Sequence, residues 1–548
     1  MSGNAYRWTE PEAKHGVEPN PVPLGMLAGM LEAGIAEHRA GRLGEAERIY
    51  RRILVLEPGN SDALHWLGMV ALQTGHGRAA IELMRRAIAN CATANRATVN
   101  CCEDAGTWID LGIALQTQGE LPEAVRCYER ALELKPESAA WSNRGLALHS
   151  LGRLEEAVAS LERAIELNPE AAVMHANLGN VRQALGRLEE AEASQRRAIA
   201  LQPANAEAYC NLGSVLDLMG RFLDSVEAYE RALVLKPDLA AARWNRALHR
   251  LREGDFAQGL PEYEARWQLR KAREFTQPQW RGEPLEGARI LLHAEQGLGD
   301  TVQFLRYVPM VQAAGGKVVL EVQPSLRRLA AELPGVEELA IAGERLPEYA
   351  WHCPLMSLPL AFGTTLESIP AETPYLRVPE EARERAARMR WPEGGLRVGL
   401  AWAGSPGHLK DRYRSIPLEL LQPLLAVDGV EFFSLQVGSG SAEPAALAES
   451  RITDLAPEIG DMADTAALID RLDLVICVDT AVAHLAGALG RPVWVLLPVS
   501  SDWRWLRDHE DSPWYPAMRL FRQRALNEWG TVIDDVRKAL ERVIQRDL

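Results

Sequence analysis

Apolar positions recur with two different rhythms along this chain, and the rhythm changes near residue 280. In the first half, large apolar residues, small residues and a proline return at fixed offsets. Gly145, Gly179 and Gly213 stand 34 apart, and Pro169, Pro203 and Pro237 keep that interval. One copy reads Trp108, Leu111, Gly112, Ala124, Tyr128, Ala131 and Pro136, and another reads Tyr209, Leu212, Gly213, Tyr229, Ala232 and Pro237. The spacing predicts helix pairs. Glycine and alanine let two helices approach, aromatics fill the gap, and proline ends the second helix. The second half does not repeat. Short apolar runs predict strands over 289–293, 317–322, 396–402, 430–436, 474–479 and 493–497. Helices are predicted between them over 301–313, 325–333, 418–425, 464–470 and 480–489. This alternation predicts parallel sheets covered on both faces.

The period of 34 matches the tetratricopeptide (TPR) pattern. Repeats are expected to begin near Leu27, Ser61, Ala105, Ser138, Val173 and Ala206, with a degenerate seventh from Ala240. An insertion near 96–105, carrying Cys101 and Cys102, disturbs the register. The last copy loses its glycine and runs from Gly254-Asp255-Phe256 to Trp267. Terminal repeats deviate where they cap or dock, so this copy is expected to dock on the second half. Asn143, Asn177, Asn211 and Asn245 also recur at 34, two residues before the glycine position. Asparagine is a mediocre helix residue. Two readings stand side by side: a ladder of amides binding the backbone of a polypeptide, or ordinary TPR consensus.

The implied organisation is a disordered lead over 1–26, a TPR superhelix over 27–270 and a linker over 271–288. Two α/β lobes over 289–394 and 395–548 follow, the second ending in a helix near 532–544 expected to cross back toward the first. Two Rossmann-like lobes facing a cleft would resemble the arrangement called GT-B.

Charge narrows the partners. Sixty basic against 75 acidic residues leave a net −15, which disfavours nucleic acid or an anionic membrane as the main partner. No apolar run reaches the ~20 residues of a membrane span, and the first residues lack the apolar core of a signal peptide. Seven scattered cysteines without a C-x-x-C pair fit a reducing, cytoplasmic compartment and no structural zinc.

Five blocks in the second half carry chemistry. They are His293–Asp300 (HAEQGLGD), Gly399–Pro406 (GLAWAGSP), Asp411–Ser415 (DRYRS), Val478–Gly487 (VDTAVAHLAG) and Asp502–Trp505 (DWRW). With the repeats, they make the chain resemble bacterial TPR proteins carrying a C-terminal glycosyltransferase domain of the heptosyltransferase-like family 9 type. The asparagine ladder is similar to that of the eukaryotic O-linked N-acetylglucosamine transferase. The resemblance implies a nucleotide-sugar donor, an acceptor hydroxyl, a catalytic carboxylate at the position of Asp300, and donor contacts from the D-T-x-x-x-H block.

Each block also has a reading from its residues. Gly297 and Gly299 predict a tight strand-to-helix turn that leaves Asp300 near a helix N-terminus. There Asp300 either takes a proton from the acceptor or simply caps the helix through the Val302 and Gln303 amides. The Gly404–Ser415 loop offers Ser405, Lys410 and Arg414 to a diphosphate, against a plain solvated basic loop. Lys410 departs from the asparagine that the family often has there. Asp479 and Thr480 end the most apolar strand at a helix N-terminus, where anions are favoured, and His484 follows on the same face. Gln436 is a candidate for the nucleotide base. His293 and Glu295 do not complete a metal motif, so transfer without a metal or other cofactor is the expectation. Inversion at the anomeric carbon is expected of a transferase of the resembling type. Two alternatives remain: a TPR scaffold with an inactive domain, and a transferase acting on lipid or polysaccharide.

Overall fold

The computed structural model describes residues 24–93, 104–270, 273–392, 394–405, 407, 410–438 and 451–547. The expected lead over 1–26 falls almost wholly outside them, as does the Cys101–Cys102 insertion. The chain divides into two compact units, Met1–Leu212 and Gly213–Leu548.

The first unit is helical. Its pairs are Leu24–Arg39 with Leu43–Leu56, Ser61–Gln73 with Gly77–Thr93, and Ala105–Thr117 with Leu121–Leu134. Ser138–Ser150 with Leu154–Leu167, and Ala172–Leu185 with Leu188–Leu201, continue the series. These starts fall within three residues of those read from the repeat. The helix glycine explains the period physically. A Cβ on Gly112 would lie 2.5 Å from the Tyr128 ring, and the equivalent approaches pair Gly34 with Tyr50 and Gly145 with Leu161. Such gaps admit no side chain unless the facing residue is displaced. Asn143, Asn177 and Asn211 belong to this unit and are half-buried; Asn245, equally half-buried, belongs to the second.

The second unit holds the last repeat helices, Phe222–Leu235, Ala240–Arg252, Phe256–Tyr263 and Arg266–Leu269, together with two all-parallel sheets. The first sheet has β1 (Arg289–His293), β2 (Lys317–Val322), β3 (Val336–Ile341) and β4 (Trp351–Pro354), in the order β3-β2-β1-β4. The second has β5 (Leu396–Ala401), β6 (Val430–Ser434), β7 (Ile452–Asp454), β8 (Leu474–Val478), β9 (Val493–Leu497) and β10 (Met518–Arg522), in the order β10-β9-β8-β5-β6-β7. Every residue of β8 and β9 is buried, as expected for central strands with helices on both faces.

The degenerate seventh repeat docks as its sequence predicts. Phe256, Leu260 and Tyr263 share one core with Leu292, Trp503 and Trp514. Phe256 stacks near Trp514 with centroids 6.2 Å apart, and Tyr263 meets Trp503 edge-on at 6.1 Å. Arg266, 2% exposed, donates to Glu295 at 2.9 Å and to Ser357 Oγ at 2.7 Å. A planar guanidinium that far from water is stable only with such partners. Glu295 is therefore committed to an ion pair.

The C-terminal helix corrects one expectation. It spans Trp529–Asp547, and Val532, Ile533, Val536 and Leu540 pack with Val398, Phe432, Ile476 and Leu496 of the second sheet. Its apolar stripe is satisfied on the second sheet, whereas the sequence predicts a crossing back toward the first.

Candidate functional site

The two sheets contribute facing helices to one place. Leu298–Phe304 follows β1, Ala481–Ala488 follows β8, and the two helices pack together. Their closeness is set by Gly299, where a Cβ would lie 2.7 Å from His484 Cδ2. The reason for glycine here differs from the one read off the sequence. Gly297, the residue before the helix, has an extended backbone (φ −70°, ψ 167°), and Gly299 lies inside the helix, so neither needs a left-handed turn. Gly299 is small because the imidazole occupies its side-chain space.

Asp300 sits in the first turn of Leu298–Phe304. It does not cap forward onto Val302 and Gln303. Its Oδ2 accepts from the Gly297 N–H at 2.9 Å, reaching back across the turn. Its Oδ1 accepts from Arg504 Nη2 at 2.5 Å. Arg504 was visible in sequence only as part of the D-W-R-W block. Its guanidinium is 5% exposed, donates through Nη1 to Asp502 at 2.8 Å, and lies over the rings of Trp503 (5.0 Å) and Phe304 (5.3 Å). Asp502 caps the turn Trp503–Trp505 by accepting from the Arg504 N–H. The arrangement is a buried cation clamped between two carboxylates from different sheets.

The second carboxylate pair lies alongside. Burial, and then the charge of Asp502, push the Asp479 carboxyl up to about 6. Burial would also raise Asp502, but Arg504 more than offsets it and holds that group low. His484 is buried, stacks on Trp505 at 5.1 Å and hydrogen-bonds through Nδ1 with the Tyr515 hydroxyl at 3.0 Å. Burial, and then Arg504, lower its imidazole to about 3, so it is neutral near pH 7. Thr480 begins Ala481–Ala488, and its buried Oγ1 has no hydrogen-bond partner among the described residues. A buried, unpartnered hydroxyl at a helix N-terminus is suited to an anionic oxygen.

The loop after β5 borders the same place. Arg414 donates to the Asp479 carbonyl at 3.0 Å and to Asp411 at 3.0 Å, so it braces the loop against β8. Ser405 is exposed. Lys410 Nζ is 3.3 Å from Ser500 Oγ and 3.5 Å from Asp217. Gln436 is 5% exposed, and its Oε1 accepts from the Ala403 N–H at 3.0 Å, so that oxygen is spent on holding the loop's first turn. Across β1 and β4, His293 Nε2 meets His352 Nδ1 at 3.3 Å, with Phe275 stacked on both rings. Among the described residues, no group of three or more His, Cys, Asp or Glu is placed to hold a metal ion. None of the described helices is long and apolar enough to cross a membrane.

Comparison with known proteins agrees with this division. Residues 31–95, 109–172 and 210–274, and in a second match 169–236, fit tetratricopeptide repeats. Residues 438–516, from just beyond β6 to the segment before β10, fit glycosyltransferase family 9 (heptosyltransferase). The chain thus carries TPR repeats followed by a heptosyltransferase-like glycosyltransferase family 9 domain. Protein FlbA of Caulobacter vibrioides is 32% identical over 325 residues, 54% of this chain and 54% of that protein. Human tetratricopeptide repeat protein 7A is 34% identical over 98 residues, 18% of this chain and 10% of its own length. The chain therefore spans about half the length of the first of these relatives and a tenth of the second. Among solved structures, MamA is 26% identical with a TM-score of 0.26, covering 28% of this chain and 91% of MamA. A TPR protein from Parabacteroides merdae is 18% identical with a TM-score of 0.38, covering 44% and 93%.

Proposed function

We propose that this protein is a GT-B glycosyltransferase that moves a sugar from a nucleotide-sugar donor to an acceptor hydroxyl on a protein recruited by the repeats. The observation that carries this reading is that the helix bearing Asp300 packs on Ala481–Ala488, with Gly299 against Ala481 and His484, so a carboxylate and an anion-favouring helix N-terminus belong to one packed pair. In the proposed reaction the acceptor oxygen attacks the anomeric carbon, its proton passes to Asp300, and the bond from that carbon to the phosphate oxygen breaks. The configuration inverts. The departing phosphate is received by Thr480 Oγ1, the first amides of Ala481–Ala488, Ser405 and Lys410, with Arg414 behind them. These donors supply positive charge where it is needed, so the proposed transfer proceeds without a metal ion or other cofactor. Asn143, Asn177, Asn211 and Asn245 are the proposed contacts for the acceptor backbone, and the reaction is assigned to the cytoplasm.

One observation favours a second reading, a scaffold with an inactive domain. Both oxygens of Asp300 are already occupied, by Arg504 and by Gly297. Thermal-shift screening against nucleoside mono- and diphosphates and their sugars separates the two, because a ligand at 100 times its Kd stabilises the fold by about 2.7 kcal/mol. A shift with one nucleotide class is the expected result. No shift with any nucleotide at millimolar concentration would leave the scaffold.

A further inference from the structure

Lys410 in the phosphate loop is not held by its own lobe alone. Its ammonium contacts Asp217, a residue of the TPR helix Ala206–Leu218, and Ser500, in the loop after β9. Asp217 is 13% exposed and makes three contacts. Its Oδ1 accepts from Arg252 Nη1 at 2.7 Å, and its Oδ2 accepts from Ser500 Oγ at 2.5 Å and faces Lys410 Nζ at 3.5 Å. Burial works to raise this carboxyl, yet Arg252 and Lys410 more than offset it, so it stays ionised. Arg252, 4% exposed, lies over the Phe222 ring at 5.0 Å.

The backbone around this cluster is fitted closely. Gly220 has φ +76°, and a Cβ there would lie 2.6 Å from Val499 Cγ1. Arg507 donates to Glu253 at 2.8 Å and also lies over Phe222. The repeat turn and the loop carrying Ser500 therefore form one packed surface, with Lys410 at its rim and 43% of its side chain still exposed.

We propose that Asp217 is a positioning residue of the donor site, holding Lys410 and Ser500 where the phosphate group of the donor arrives. A free lysine is long and flexible, and fixing it on binding costs side-chain entropy. Asp217 and Ser500 remove part of that cost beforehand. The repeat half then completes the donor site as well as presenting an acceptor. This rests on the donor reading of Lys410.

The test is a double-mutant cycle on the full chain, with UDP, GDP, ADP, CDP and inorganic pyrophosphate as calorimetric probes. Lys410→Met should weaken the tightest-binding probe about fivefold or more in the wild-type background. With Asp217→Asn already present, the same change should weaken it less than about twofold. Measuring Lys410 in both backgrounds cancels the direct field of Asp217 on the phosphate. An equal loss in both would mean that Asp217 only braces Arg252. A larger loss in the Asp217→Asn background would mean that Asp217 competes for the lysine, and either result overturns the proposal. Ser500→Ala, which changes no charge, should reduce the contribution of Lys410 in the same direction and serves if Asp217→Asn does not fold. If Lys410→Met has no effect on a probe that binds the wild type, Lys410 lies outside the donor site and the proposal falls while the transferase reading stands. If no probe binds the wild type, both fall.

Discussion

Arg504 Nη2 lies 2.5 Å from Asp300 Oδ1, joining a residue at the start of a helix after β1 to one in the turn after β9. The same guanidinium holds Asp502, whose charge in turn presses on Asp479. The candidate base and the candidate donor-binding carboxylate are therefore parts of one charge network.

Replacing the cation should be costly. Arg504→Met leaves Asp300 and Asp502 without their partner, and breaking a buried pair in this way costs about 3–5 kcal/mol. Asp502 is held low in the folded chain, so its share of stability is present above its ordinary carboxylate range and is lost as pH falls through the folded value. Denaturant melts should show the deficit at pH 7 and a smaller one in acid. A deficit below about 1 kcal/mol at pH 7 would mean that the clamp carries no stability.

Gly299→Ala sets two effects against each other. Alanine is the better helix residue by about 1 kcal/mol. Its Cβ would, however, lie 2.7 Å from the buried His484 ring, and overpacking of this kind costs about 1–3 kcal/mol. A lowered Tm is expected, with weakened nucleotide binding because Ala481–Ala488 must shift. A raised Tm would show that the imidazole has room to move.

Asp479 gives a pH signature of the opposite sign. Its carboxyl titrates at about 6 in the folded chain against an ordinary 3.8. Between those values the folded chain keeps a proton that the unfolded chain has lost, so stability falls as pH rises through the window. Asp479→Asn removes that titration. Its Tm should decline less than that of the wild type between about pH 4 and pH 7, and parallel curves would contradict the assignment.

What the sequence disclosed, and what it did not, follows from the range of the interactions. The TPR helices were legible because each depends on near neighbours, the glycine of one helix against a residue of the next, and β1, β8 and β9 were legible as unbroken apolar runs. β4 was missed because Trp351–Pro354 is four residues long and contains His352, whose burial depends on Phe275 from the connector. β7 is three residues, and β3 presents Glu337 and Glu338 to solvent. Asp300, Thr480 and His484 were marked by local motifs, and the structure brings their helices together. Arg504 was marked only as a member of the Asp502–Trp505 block and Asp217 not at all, because each acquires partners from elements far away in the chain. The back-reaching bond of Asp300 to Gly297 was equally hidden, since a carboxylate three residues from a glycine is compatible with either capping direction.

The most direct test is Asp300→Asn, with nucleotide binding and sugar transfer measured on the same preparation. Asparagine keeps the size of the side chain but only one accepting oxygen for the Gly297 N–H and Arg504 together, so some stability is lost. Nucleotide binding by the folded protein should still match that of the wild type within about twofold in Kd. Transfer should fall by about 10²-fold or more, because the proton acceptor is gone. Transfer near the wild-type rate with unchanged binding would contradict the account and leave Asp300 as a cap and ion-pair partner only.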